Sequence, residues 1–184
     1  MDFTIYSDQN APAESKKGLA DASEAYGFIP NLLGVMAASP QALQGYRSLI
    51  DLFMKSSLSA VEKNVVLLTV AKENECGYCK AAHATIANMQ KVDPEIIETV
   101  LRGGPLKDDR LEALRKFTAE VTATRGRPEA DTLEAFTAAG FDQTSALDVI
   151  LGVAAKTLSN YVNHIAETPV DDAFKQRNSD PLGG

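Results

Sequence analysis

Ser59-Ala60-Val61-Glu62-Lys63-Asn64-Val65-Val66-Leu67-Leu68-Thr69-Val70-Ala71-Lys72 can be read in two ways. The run Val65–Ala71 is β-branched enough to form a buried strand by propensity alone. However, Ser59 followed three residues later by Glu62 is a capping box, in which each side chain accepts from the other's backbone N–H. That signal, and helical patterns on both sides, decide for a helix opening at Ser59 and running through Lys72 or beyond. A helix apolar on most faces is a central one. The fold class expected from this stretch is therefore all-α.

The rest of the chain agrees. Sustained period-two alternation and Asn-Gly hairpin turns are missing from the sequence, while helix punctuation recurs. Residues 12–26 form an Ala/Lys/Glu-rich helix closed by Gly27, and Pro30 opens a short one through Ala38. From Pro40 to Lys55, Leu43, Tyr46, Leu49, Ile50 and Phe53 repeat at helical spacing. A helix over 76–89 follows the central one. Asp93-Pro94 opens another that stops at Gly103-Gly104, and a long amphipathic helix begins at Asp108 or Asp109 and ends near Gly126. Residues 129–139 and 143–167 complete the set. One domain over 1–174 is expected, with 175–184 a loosely held tail. The similarity of 65–72 to 148–156 suggests a decayed internal duplication or chance likeness between two buried helices.

Composition narrows the function. The chain has 184 residues and a formal net charge of −7, which argues against nucleic acid as a partner, because phosphates demand a basic face. Residues 1–10 lack the basic-then-apolar order of a signal peptide. The most apolar run, 65–71, is too short to span a bilayer. No membrane association and a cytoplasmic location are the expectations.

Both cysteines lie in Cys76-Gly77-Tyr78-Cys79. A disulfide closing so short a loop hardly constrains the unfolded chain, so this spacing reads as redox or metal chemistry. On a helix, Cys76, Cys79 and His83 share one side, at i, i+3 and i+7. Thiols in the first turn meet free N–H groups and the positive end of the helix dipole, which favour the thiolate. His83 can take or share a thiol proton. Two other readings stay open: inert buried thiols, or a zinc set of Cys76, Cys79, His83 and His164. Covalent haem attachment fails, because Lys80 follows the second cysteine where a histidine is needed.

Leu58-Ser59-x-x-Glu62, the apolar helix and Glu73-Asn74-Glu75-Cys76-Gly77-Tyr78-Cys79-Lys80-Ala81-Ala82-His83 resemble the alkylhydroperoxidase D-like (AhpD-like), peroxidase-related branch of the carboxymuconolactone decarboxylase superfamily. Thr157-Leu158-Ser159-Asn160-Tyr161-Val162-Asn163-His164 resembles a second stretch seen there. The resemblance implies an AhpD-like helical bundle with the C-x-x-C motif at the start of a central helix, assembled as a dimer, trimer or hexamer. It implies a thiol-dependent, peroxiredoxin-type peroxidase without cofactor or metal. Cys79 is then the peroxidatic thiolate, Cys76 the more exposed resolving thiol and His83 the base. The implied partners are a hydroperoxide substrate and a dithiol reductant or redox partner protein. The alternative is a dithiol–disulfide exchange protein or redox sensor.

The chain departs from that pattern where the best-known members carry a relay glutamate, for Asn64 stands there and cannot transfer a proton. Glu62, two residues earlier, is the first substitute, with Glu73 and Glu75 behind it. Tyr78 occupies a position that is histidine in some members. Tyr78, Asn160 and His164 are expected to line the site, since amides and a histidine in a buried helix must find partners.

Overall fold

The computed structural model describes residues 1–175, which carry ten helices and no strand. They are α1 (Ala13–Tyr26), α2 (Asn31–Met36), α3 (Pro40–Met54), α4 (Ala60–Glu73), α5 (Gly77–Met89), α6 (Pro94–Arg102), α7 (Asp109–Ala123), α8 (Ala130–Ala138), α9 (Gln143–Ala166) and α10 (Asp172–Lys175). The expected tail falls, from residue 176 onward, outside the described residues.

The expected α4 forms, and for the expected reason. Ser59 accepts from the Glu62 N–H, and the Glu62 carboxylate accepts from the Ser59 N–H at 2.7 Å. Val65 through Ala71 are all buried, so helical packing wins over β propensity. α4 is the centre of the bundle and packs against α5, α6, α7 and α9. Elsewhere, Gly27 and Gly103 end α1 and α6 in left-handed conformations, and Asp93 caps α6 ahead of Pro94.

Two apolar clusters fill the interior. The first gathers Phe53, Val65, Val66, Leu68, Ile97, Leu114, Phe117, Phe136, Phe141 and Val149. Within it Phe117 stacks on Phe136 at 4.1 Å and Phe136 on Phe141 at 4.5 Å between ring centroids. The second gathers Leu19, Leu32, Leu33, Met36, Leu43, Ala71, Cys76, Tyr78, Cys79 and Phe174. The cysteines thus belong to a packed interior.

α9 runs 24 residues along α3 and α4. A Cβ on Gly152 would lie 2.7 Å from the Phe53 ring and 2.9 Å from Val66. The missing side chain is what lets α9 approach this closely. One turn further on, the same face reaches α5. None of the described helices is long and apolar enough to cross a membrane.

Candidate active site

α4 ends at Asn74, the chain turns through Glu75 at φ 54°, and Cys76 becomes the N-cap of α5. Cys76 therefore has extended backbone (φ −80°, ψ 100°), and its sulfur accepts from the Cys79 N–H at 3.4 Å. The sequence placed Cys76 inside the helix; the structure makes it the cap, with the same consequence that both sulfurs sit at the positive end of α5. The expectation of a more exposed Cys76 does not hold, since both cysteines are 1% exposed. Both lie in the apolar cluster with Leu32, Leu33 and Met36 of α2, and the Asn163 amide of α9 covers the two sulfurs. Both thiols are free.

α9 supplies the surroundings of Cys79. Lys156, Ser159 and Asn163 are spaced i, i+3 and i+7, so they share one face. The Asn163 amide donates to the Cys79 sulfur at 3.2 Å and reaches the Cys76 sulfur at 3.9 Å. The Cys79 sulfur lies 4.0 Å from the Ser159 hydroxyl. Lys156 is 1% exposed and lies in the same cavity wall as Cys79, close enough for its charge to act on the thiol.

These contacts split the two thiols. A hydrogen bond from the Cys76 thiol, together with Lys156 and Asn163, holds the Cys79 thiol well below its usual range against the opposing effect of burial. Donating that bond and being buried push the Cys76 thiol up. The two thiols titrate together, and the thiolate is favoured on Cys79. Burial, and then the Lys156 charge, push His83 well below the usual imidazole range, so its ring is neutral. His83 Nδ1 is buried and has no hydrogen-bond partner.

The Cys79 side of the site opens into a cavity of about 220 Å³. Leu32, Leu33, Ile50, Leu67 and Ile86 supply apolar wall, and Cys79, His83, Lys156, Asn64 and Tyr78 supply polar groups. Tyr78 donates to Asp171 at 2.6 Å and accepts from the Leu32 N–H at 3.3 Å. It thereby ties α5 to α2 and to the segment before α10.

The structure places the remaining sequence candidates as follows. Cys76, Cys79, His83 and Tyr78 come together. Asn64, at the relay position, does line the cavity, with its amide donating to Gln90 and to the Ala60 carbonyl. Glu62 does not line it: its carboxylate closes the capping box and pairs with Arg110 at 2.9 Å. Glu73 pairs with Lys72, and Glu75 is exposed in the turn. Among the described residues no glutamate lines the cavity.

Asn160 is fully buried but accepts from Asn74 and is not in the cavity wall. His164 is exposed, because it lies one residue past Asn163 and that step of about 100° turns it to solvent. The zinc set is therefore not assembled, and the described residues contain no cluster of three or more His, Cys, Asp or Glu able to hold a metal ion. Sequence reasoning missed Lys156, Ser159 and Asn163. Their signal was three polar residues on one face of an otherwise apolar helix.

Residues 37–104 match the carboxymuconolactone decarboxylase family. The fold is that of an uncharacterized peroxidase-related protein from Silicibacter sp., with 23% identity, TM-score 0.80, and 95% of this chain and 92% of that one covered. It is equally similar to an alkylhydroperoxidase AhpD core protein, peroxidase-related and uncharacterized, from Ralstonia eutropha, at 20% identity, TM-score 0.82 and coverage of 94% and 93%. The debrominase Bmp8 shares the fold at 14% identity, TM-score 0.80 and coverage of 95% and 94%. No curated protein matches the chain in sequence.

Proposed function

We propose, from the match of residues 37–104 to the carboxymuconolactone decarboxylase family and from the all-α AhpD-like fold, that this chain is a thiol-dependent peroxidase. The observation that carries the reading is the Cys79 sulfur in the wall of an apolar cavity, with the Asn163 amide donating to it and the Cys76 thiol three residues away at the same helix end. A thiolate is the nucleophile in such chemistry. It attacks the terminal oxygen of a hydroperoxide; the S–O bond forms as the O–O bond breaks, giving sulfenic acid and an alcohol. Cys76 then condenses with the sulfenic acid, expelling water and forming the disulfide. A dithiol reduces that disulfide by two exchange steps and leaves as its own disulfide.

The burial of both sulfurs favours a small dithiol over a protein as the reductant, since a protein disulfide needs an accessible sulfur. Debromination, the activity in the name of Bmp8, is the rival chemistry, and here it would use the same dithiol and the same apolar cavity. There, two thiols become a disulfide while carbon–halogen becomes carbon–hydrogen and halide leaves.

The test is to mix reduced protein with cumene hydroperoxide and count thiols, in wild type, Cys76→Ser and Cys79→Ser. Wild type is expected to lose both thiols and to turn over peroxide when dihydrolipoamide is supplied. Cys76→Ser should stop at a sulfenic acid, and Cys79→Ser should not react. Thiols that survive peroxide overturn the reading, and bromide released from 2,3,4-tribromopyrrole would then replace it with dehalogenation.

A further inference from the structure

A lysine is almost never fully buried unless something pairs with it. Lys156 is 1% exposed, yet among the described residues no carboxylate lies within ion-pair distance of it. The other shielded cations behave differently. Lys72 pairs with Glu73 at 2.9 Å and Arg115 with Glu112 at 2.7 Å. The Lys156 charge acts instead on the Cys79 thiol. Both residues line the one cavity, with His83 beside them, and the α9 face that carries Lys156 also carries the Ser159 and Asn163 contacts to that sulfur. His83, the base implied by the sequence, makes no hydrogen bond to either sulfur through its orphaned Nδ1.

We propose that Lys156 is the charge partner of the Cys79 sulfur and the proton donor to the oxygen that leaves when the peroxide bond breaks, in place of His83 and a relay glutamate. An ammonium and a thiolate attract one another, which offsets part of the cost of burying each. When Cys79 attacks R–O–OH, sulfur is oxidised by two electrons and the peroxide reduced by two. The Lys156 ammonium passes a proton to the departing alkoxide, so the products are sulfenic acid, alcohol and a neutral amine. The amine takes the Cys76 proton. The Cys76 thiolate attacks the sulfenic acid, and the proton returns to the hydroxide that leaves as water. Reduction by the dithiol restores the Cys79 thiol, which hands its proton to the amine and resets the pair.

The first half of this proposal is independent of the peroxidase reading and the second half rests on it, so the experiment separates them. The groups that share the neighbourhood of Cys79 are Cys76, Tyr78 and His83 on α5, Tyr46 on α3 and Lys156 on α9, with Asp171 bound to Tyr78. In reduced full-length Cys76→Ser protein, only Cys79 reports. Its thiolate absorbance and its alkylation by iodoacetamide are followed across pH, alone and with Lys156→Met, Lys156→Arg or His83→Gln.

Lys156→Met should move the ionisation midpoint up and slow alkylation at neutral pH by about tenfold or more, each tenfold being about one pH unit of midpoint. Lys156→Arg should restore most of it, and His83→Gln should leave the midpoint in place. Methionine matches the length of lysine, and replacing a buried ion by an apolar side chain is often tolerated. Should it not fold, Lys156→Gln read against Lys156→Arg gives the same comparison. An unmoved midpoint in the variants lacking a cation overturns the proposal, as does a midpoint that follows His83 instead. A midpoint set by Lys156 in a protein that ignores cumene hydroperoxide sustains the charge pair and overturns the proton-donor role together with the peroxidase reading.

Discussion

The contact of α4 with α7 and the contact of α5 with α9 are both helix-on-helix packing in one small bundle, and they treat charge in opposite ways. Between α4 and α7 lie Val65, Leu68, Leu114, Phe117 and Val121, and the phenylalanine stack continues toward α8. Of the charged groups at its margin, Glu62 is paired with Arg110 and Glu112 with Arg115, while Glu120 Oε2 is buried without a hydrogen-bond partner. Arg110 also lies over the Phe141 ring at 3.8 Å. Between α5 and α9 the chain buries a lysine without a carboxylate, two asparagines, a serine and two thiols. His83 Nδ1, Asn160 Nδ2 and Asn163 Oδ1 lack partners there. Unpartnered polar atoms also occur in the first contact, at Thr69, Thr118 and Glu120, so they do not separate the two; what does is a buried lysine that shares a cavity wall with a thiol and has no carboxylate within ion-pair distance. The first contact is dominated by apolar packing; the second, on the proposal above, holds a charge on sulfur.

The strongest way to break this division is Phe136→Ala. Removing the middle ring of the stack should cost about 3–5 kcal/mol of unfolding free energy, read by denaturant melts, while the Cys79 ionisation midpoint stays fixed. A large midpoint shift in protein that is still folded would show that the two regions are one unit.

Gly152→Ala tests the join between them. The added methyl meets Phe53 and Val66, so the expected loss is about 1–3 kcal/mol from overpacking. Because α9 must yield, this variant should also weaken the Lys156 and Asn163 contacts and raise the Cys79 midpoint. Lost stability with an unchanged midpoint would mean that α3 and α4 give way instead.

Asn163→Ala sharpens the second region alone. It deletes the 3.2 Å donor to Cys79, and one hydrogen bond to a charged group is worth about 1.5–3 kcal/mol. Alkylation of Cys79 at neutral pH should slow by about tenfold. Since the Cys79 midpoint is depressed in the native state, that ionisation favours the fold above the ordinary thiol range and ceases to do so as pH falls through the native midpoint. The variant should therefore lose stability mainly on the alkaline side of that midpoint. An equal loss at all pH values would make Asn163 a packing residue.

The first region was legible in the sequence and the second only in part, for a physical reason. Capping residues, Gly stops and apolar periodicity are local, so Ser59, Glu62, Gly27 and Asp93-Pro94 announce their helices, and Cys76, Cys79 and His83 announce a thiol site by spacing. Which residues of α9 face that site depends on the rotation of one helix against another. His164 and Asn163 are adjacent in sequence, and only the angle between them decides that the amide reaches sulfur while the imidazole faces solvent. Lys156 was harder still, because lysine at the end of an apolar run normally leads to water. Its counterpart in the similar run of α4, Lys72, pairs with Glu73 and stays partly exposed.

Glu62→Gln makes the smallest change and asks which region Glu62 belongs to. Burial works to raise its carboxyl, but the hydrogen bonds of Ser59 and the Arg110 guanidinium outweigh it and hold the group below the usual carboxylate range. A group depressed in the fold stabilises fully above its ordinary range and ceases to do so as pH falls through the native value. Glutamine keeps the capping bond to the Ser59 N–H and loses the charge on Arg110, which is itself 45% exposed in its side chain. The expected loss near neutrality is therefore about 1 kcal/mol or less, and it should vanish in acid, where wild type loses the same charge. Peroxide consumption should be unaffected, since the Glu62 carboxylate is turned to Ser59 and Arg110 and away from the cavity. A folded Glu62→Gln protein that no longer consumes peroxide would place the carboxylate in a proton relay to Cys79 and erase the boundary between the two regions at this residue.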